Sequence, residues 1–359
     1  SSAEANGKQV VRFATSPRMS SYLLHLTVGD LERISRKAAG VEIGIVTRKG
    51  AAEQGRVALD AAAEILPWYN DYFGTSYPLP KLDMIAVPGT SQFFGAMENW
   101  GAIMYFEQAL LMDPQISSES DRLNIYDAVA HEMAHQWFGN LVTMEWWDDL
   151  WLNEGYATWM AEKAATTLRP QWNVPLLTVK WPRENALQSD ASDATHPVVQ
   201  PVVSVDAASQ AFDAIAYNKG SAVIRMLEAS LGETGFRDGI RRYVRRYAYD
   251  NTVTDQLWSE LASATNRPVI DIARDFTLQP GVPLVKAVAG RCESGRTRVT
   301  LTQGRFETGT PSPVALTWRI PVVLQAIDSR ATTSALLGKD GAPVSVEVGG
   351  CGPVIVNAG

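Results

Sequence analysis

The pattern His131-Glu132-Met133-Ala134-His135, with Glu154 following after a gap of eighteen residues, constrains this 359-residue chain more than any other feature. Histidines at i and i+4 of a helix share one face, with Cβ atoms roughly 5–6 Å apart. Both imidazoles can then reach one metal ion at about 2.0–2.1 Å. Glu154, supplied by a second helix, would complete a His2Glu set and leave the fourth tetrahedral position to water. Glu132 cannot serve as a third ligand from the same face. It sits instead beside the open position, where a general base belongs. Donor types and spacing together point to one zinc ion per chain in a hydrolytic site.

Two plainer readings compete with that one. A histidine pair at this spacing also fits a solvated helix face, and Glu154 could be only a dipole partner in a first helical turn. The segment 124–138 is mostly apolar and reads as a largely buried helix, so histidines within it need partners to offset desolvation. The chain has only four histidines, and two of them fall at ligand spacing.

Composition excludes several classes. A hydrophobic fraction of 46% with 20% charged residues describes a globular chain long enough for two or more domains. A net charge of −7, with no basic run, argues against nucleic acid as a partner. No apolar stretch approaches the eighteen residues of a membrane span. The start at Ser1-Ser2-Ala3 carries no signal-like segment, so a targeting peptide is expected to be absent or removed. Cys292 and Cys351 lack CxxC spacing and a neighbouring histidine, which makes them poor metal ligands. They read either as a disulfide within a terminal β module or as two independent half-buried thiols. The disulfide would imply an oxidising compartment, periplasmic or secreted, and the thiols fit a cytoplasmic one.

Periodicity divides the chain in three. Residues 8–46 alternate apolar and polar positions (Val10, Phe13; 22–26; Val41, Ile43, Ile45) and read as short strands. Residues 51–73 form an amphipathic helix stopped by Gly74, and 82–87 and 92–106 read as strands. Helices are expected near 119–139, 149–168, 172–188, 207–231, 233–248 and 254–265. Residues 190–205 form an irregular connection in which His196 reads as structural, and His25 reads as a strand histidine with no partner pattern. Asp148 and Asp149 could support the histidines or cap helices. Trp137, Trp146, Trp147 and Trp151 read as core packing around the metal helices. From Pro283 onward, strands with Gly and Pro punctuation suggest a β-sandwich.

The string HEMAHQWFGNLVTMEWWDDLWLNEGYA resembles the zinc site of the M1 aminopeptidases, a gluzincin family. Two further anchors agree in order and spacing. Gly95-Ala96-Met97-Glu98-Asn99 matches the family's GAMEN exopeptidase motif, and Tyr217-Asn218-Lys219-Gly220 matches its Tyr-x-Lys-Gly segment. The likeness covers about residues 10–280, and Gln279-Pro280-Gly281-Val282-Pro283 resembles the entry into the family's β-sandwich. The resemblance implies an α+β fold: last strands of an N-terminal β domain over 1–46, a mainly helical thermolysin-like catalytic domain over 47–280, and a small β-sandwich over 281–359. Against the family's pattern, most of an N-terminal domain and a large C-terminal helical domain are expected to be missing partners of the same protein.

The chemistry the resemblance implies is removal of an amino-terminal residue from peptides with a free N-terminus. Zinc held by His131, His135 and Glu154 would polarise the scissile carbonyl and activate water, with Glu132 as base. Tyr217 would donate to the developing oxyanion, although a core tyrosine with a tethered hydroxyl is the alternative. Glu98 would bind the substrate ammonium, and the small residues Gly95 and Ala96, with Met97 and Asn99, would present a strand edge to the peptide. An endopeptidase, an epoxide-opening zinc hydrolase, a zinc-binding scaffold and an impaired fragment are the competing expectations.

Overall fold

The computed structural model describes residues 2–3, 9–91, 94–178, 182–308 and 315–358. Strands β1 (Leu31–Ala38), β2 (Val41–Arg48), β3 (Lys81–Val87), β4 (Ala96–Met97) and β5 (Ala102–Phe106) form one sheet in the order β1-β2-β3-β5-β4. The first pair is an antiparallel hairpin, β2, β3 and β5 run parallel, and β4 lies antiparallel at the edge. The β-branched run of β2 fits its burial: Val41, Ile43 and Ile45 are all covered, as the core face of a strand paired on both sides requires. A domain boundary after residue 46 would cut this strand two residues before its end. The hairpin that was expected to belong to a preceding β domain is hydrogen-bonded into the same sheet as β3.

Helix α1 (Arg56–Phe73) links β2 to β3 and ends at Gly74, whose φ of 60° supplies the left-handed cap. It packs on α2 (Glu119–Ala134), and the Tyr69 hydroxyl donates to the Ala130 carbonyl at 2.8 Å. Helices α3 (Trp151–Leu168), α4 (Gly220–Leu231), α5 (Glu233–Tyr247), α6 (Thr254–Thr265) and α7 (Val269–Thr277) complete the helical body. The last of these went unanticipated, although Val269, Ile272, Ala273 and Phe276 bury one helical face.

Six strands follow: β6 (Val282–Glu293), β7 (Arg296–Phe306), β8 (Ile320–Ala326), β9 (Thr332–Leu337), β10 (Val344–Gly349) and β11 (Val354–Val356). They make two three-stranded sheets, β6-β7-β10 and β9-β8-β11. Val299, Leu301, Trp318, Leu324, Leu337 and Val348 are buried between them. Cys292 and Cys351 are joined as a disulfide, with Cα atoms 5.3 Å apart. The architecture is α+β, and among the described residues no helix is long and apolar enough to cross a membrane.

Several local expectations are corrected. Residues 22–26 are not a strand: a 3-10 turn, Ser21–Leu23, buries Leu23 and leaves Leu24 and Leu26 exposed. The run 92–106 splits into two short strands around a turn at Gly101 (φ 74°), and its residues 92–93 lie outside the described residues, as does residue 8 of the first strand reading. Helix 172–188 is two short helices, Val174–Thr178 and Glu184–Asp190, and residues 179–181 of that reading lie outside the description. Helix 207–231 breaks after Gln210 and resumes through a π-helical turn, Ile215–Lys219, that leads into Gly220–Leu231. Trp146 is 58% exposed, unlike the fully buried Trp137 and Trp151.

Candidate active site

The site forms where α2, α3, the π-helical turn and the sheet edge meet. A capping box starts α2: the Ser118 hydroxyl accepts from the Asp121 N–H, and the Asp121 carboxylate accepts from the Ser118 N–H at 2.7 Å. The helix ends at Ala134, earlier than its periodicity suggests, because the chain must turn tightly through Gly139, whose φ is 123°. His135 keeps the helical i−4 bond, its N–H reaching the His131 carbonyl at 3.2 Å. Both histidines therefore keep the shared face.

Three donor atoms converge there. His131 Nε2 and His135 Nε2 are 3.0 Å apart, and Glu154 Oε2 lies 3.3 Å and 3.4 Å from them. His135 Nδ1 donates to the Phe138 carbonyl at 3.0 Å, which turns Nε2 towards the other two donors. Neither Asp148 nor Asp149 plays that supporting part. Asp148 accepts from the Val202 N–H at 2.6 Å, and Asp149 caps the start of α6 through Thr254.

Glu132 and Glu98 flank the three donors, and both are buried. Glu98, Glu132 and His135 each place one ligand-type atom within 4.8 Å of the others. Glu132 Oε2 is buried without a hydrogen-bond partner among the described residues. Glu98 follows the edge strand β4, and its carbonyl accepts from Gln136 Nε2 at 3.2 Å and Asn140 Nδ2 at 2.8 Å. The sheet edge is thereby tied to the end of α2. The Gly95 carbonyl accepts from the Phe106 N–H at 3.0 Å, so alternation turns the polar groups of Ala96 to the open side of β4. Met97 is half-buried, and Asn99 turns away to donate to the Leu23 carbonyl at 3.3 Å.

The electrostatics follow from three carboxylates and two imidazoles in a dry space. Burial lowers His131. Burial would lower His135 too, but Glu98, Glu154 and Glu132 outweigh it and push its ring up to about 10. Burial raises Glu132 well above the usual carboxylate range, against the pull of His135. Glu98 rises for the same reason. Burial opposes ionisation of Glu154 as well, yet the two histidines hold it well below the ordinary value. Carboxylates outnumber imidazoles among groups that face one another across a dry space.

A cation fits that arrangement. Tetrahedral ligation at about 2.0–2.1 Å puts ligand atoms roughly 3.3 Å apart, close to the separations seen. Two imidazole nitrogens turned on one another at 3.0 Å, with an orphaned buried carboxylate oxygen beside them, are otherwise costly.

Tyr217 lies over His131, with ring centroids 6.1 Å apart and planes 14° from parallel. Burial pushes its hydroxyl well above the ordinary value, and Glu154, Glu132 and Glu98 add to the shift, so it stays a protonated donor. The six residues His131, Glu132, His135, Glu154, Glu98 and Tyr217 thus share one site. Tyr22 joins them from the N-terminal segment: its hydroxyl donates to Glu98 Oε1 at 3.3 Å and accepts from Asn153 Nδ2 at 3.4 Å. No local pattern marks it, since it meets Glu98 across 76 residues of chain.

The description "Peptidase family M1 domain" matches residues 57–276. The chain is 39% identical over 346 residues to a "Probable aminopeptidase 2" of Sulfurisphaera tokodaii, covering 96% of this chain and 43% of that protein. It is 38% identical over 334 residues to the leucyl aminopeptidase of Saccharolobus solfataricus (93% and 41%). It is 39% identical over 334 residues to the puromycin-sensitive aminopeptidase of Caenorhabditis elegans (92% and 35%). The chain spans about two fifths of the length of these relatives.

Proposed function

Since the chain belongs to peptidase family M1, we propose that it is a zinc metallo-aminopeptidase acting on peptides with a free N-terminus. The observation that carries this reading is the convergence of His131 Nε2, His135 Nε2 and Glu154 Oε2 beside a buried, unpartnered Glu132 oxygen. A two-imidazole, one-carboxylate set suits zinc, which would supply Lewis acidity, polarising a carbonyl and making water more acidic.

The chain's own groups supply the rest. Glu132 takes the proton of the attacking water and delivers it to the leaving amine. Tyr217 donates its hydroxyl hydrogen to the oxyanion that develops at the carbonyl, and its raised pKa keeps that hydrogen in place through neutral pH. Glu98 accepts the substrate ammonium, which sets the cut one residue from the end. Its backbone is fixed through Gln136 and Asn140, so the distance from ammonium anchor to base is held by the turn that follows α2. Ala96 offers its free polar groups to an extended peptide in the manner of strand addition, with Gly95 leaving room beside it. The Cys292–Cys351 bond favours an oxidising compartment, periplasmic or secreted, for the protein.

The test is hydrolysis of an aminoacyl arylamide by this 359-residue chain, with and without a chelator, beside its N-acetylated counterpart. Cleavage of the free amine alone, abolished by the chelator, is expected. Equal cleavage of both substrates, or activity indifferent to the chelator, would overturn the reading.

A further inference from the structure

Tyr217 sits in the middle of a π-helical turn, Ile215–Lys219, and not in the regular helix that follows. A π-turn is a locally costly backbone state that needs outside support. Its register decides where the hydroxyl points. An oxyanion donor must lie within about 2.7–3.1 Å of its target, and a 1 Å displacement can cost on the order of 10²-fold in rate.

Asp213 supports the entry to that turn. One carboxylate oxygen accepts from the N–H groups of both Ile215 and Ala216, each at 2.9 Å, and the Asp213 carbonyl accepts from the Tyr217 N–H at 3.1 Å. The second carboxylate oxygen is 2.6 Å from His196 Nε2. His196 Nδ1 is 2.7 Å from the Pro197 carbonyl. Both ring nitrogens therefore face acceptors, and only the imidazolium satisfies both. The far end of the turn is held separately. Lys219 Nζ reaches Asp190 at 2.8 Å and the Gly281 carbonyl at 3.1 Å, while Asp190 accepts from the Gly281 N–H at 2.8 Å.

We propose that His196 and Asp213 are positioning residues for Tyr217: the imidazolium fixes the carboxylate, and the carboxylate fixes the first N–H groups of the π-turn. The inference rests on the oxyanion role of Tyr217 given above. It assigns a task to two residues of which neither touches the donors of the metal site.

The experiment compares His196→Ala and Asp213→Asn in the wild-type and Tyr217→Phe backgrounds. It reads kcat, KM, metal content and the Tyr217 hydroxyl position in crystals of the two single variants. Asn at 213 keeps an acceptor for the backbone but loses the charge, which guards against simple misfolding. Expected are a fall in kcat of about tenfold or more with KM and metal content unchanged, no further fall in the Tyr217→Phe background, and a hydroxyl displaced by about 1 Å. An unmoved hydroxyl, or the same fractional loss in both backgrounds, would overturn the positioning role. A Tyr217→Phe enzyme with wild-type kcat would instead overturn the oxyanion role itself, and this inference with it. The crystal readout needs no turnover, so it decides the matter even in an inactive preparation.

Discussion

Gly155 and Gly220 face each other at the crossing of α3 and α4, and a side chain on either would press on backbone. A Cβ at Gly155 would lie 3.0 Å from Gly220 Cα and 3.0 Å from the Ala216 carbonyl oxygen. A Cβ at Gly220 would lie 3.2 Å from Gly155 Cα. Glu154 immediately precedes one glycine, and Tyr217 stands three residues before the other. This backbone contact is what brings the carboxylate donor and the tyrosine into one site. Trp151 packs beside Gly220 and stacks on Trp258, so the crossing has little freedom to open.

Gly155→Ala is therefore expected to destabilise the fold by about 1–3 kcal/mol, the usual cost of overpacking a dense core. Because the clash is with backbone, relaxation must shift the π-turn, and kcat should fall along with the melting temperature. Thermal melting and steady-state kinetics of this variant check both. A variant with unaltered melting and kcat would show that the crossing yields easily.

Glu132→Gln preserves shape and removes the base. Zinc content should stay at the wild-type level, since Glu132 is not among the three converging donors. Turnover should drop by roughly 10²–10⁴-fold, the usual worth of a positioned acid–base group. Full activity in this variant would rule out the base role.

His196 should titrate above its ordinary value of 6.5, because Asp213 and the Pro197 carbonyl accept from it, against burial and the nearby Lys219 charge. The sign for stability follows from that direction. The contribution of His196 is fully present below about pH 6.5 and is lost as pH rises through its higher folded value. Asp213, held low by His196 and the backbone N–H groups despite burial, loses its contribution as pH falls through its depressed value. Proton NMR of the His196 ring, in wild type and Asp213→Asn, reads this directly. The value should fall towards 6.5 or below in the variant, and an unchanged titration would contradict the pairing.

Legibility in the sequence followed the range of the interactions concerned. His131, Glu132 and His135 are related by one helical turn, so their shared site is visible in spacing alone. Glu154 was readable because its helix starts soon after that of the histidines ends. Glu98, Tyr217 and the domain plan became visible only through resemblance to a family, since no local periodicity ties them to the metal donors. Residues 22–26 alternate like a strand, yet the segment makes a 3-10 turn because Leu23 packs into the core and Tyr22 reaches the site. The stretch 207–231 has helical periodicity throughout, and nothing in it marks the π-turn. That turn depends on His196, seventeen residues before Asp213, and on the backbone contact at Gly155. Helix α7 has no clear start in the sequence, because its N-cap is Pro268, a residue type that as readily ends a helix.

The central claim is that three side chains from two helices grip one metal ion. Elemental analysis of the purified chain, set beside His135→Ala, measures this most directly. About one zinc per wild-type chain, lost or greatly reduced in the variant, is the expected result. Wild-type protein without stoichiometric metal, or a variant that keeps its full complement, would contradict it.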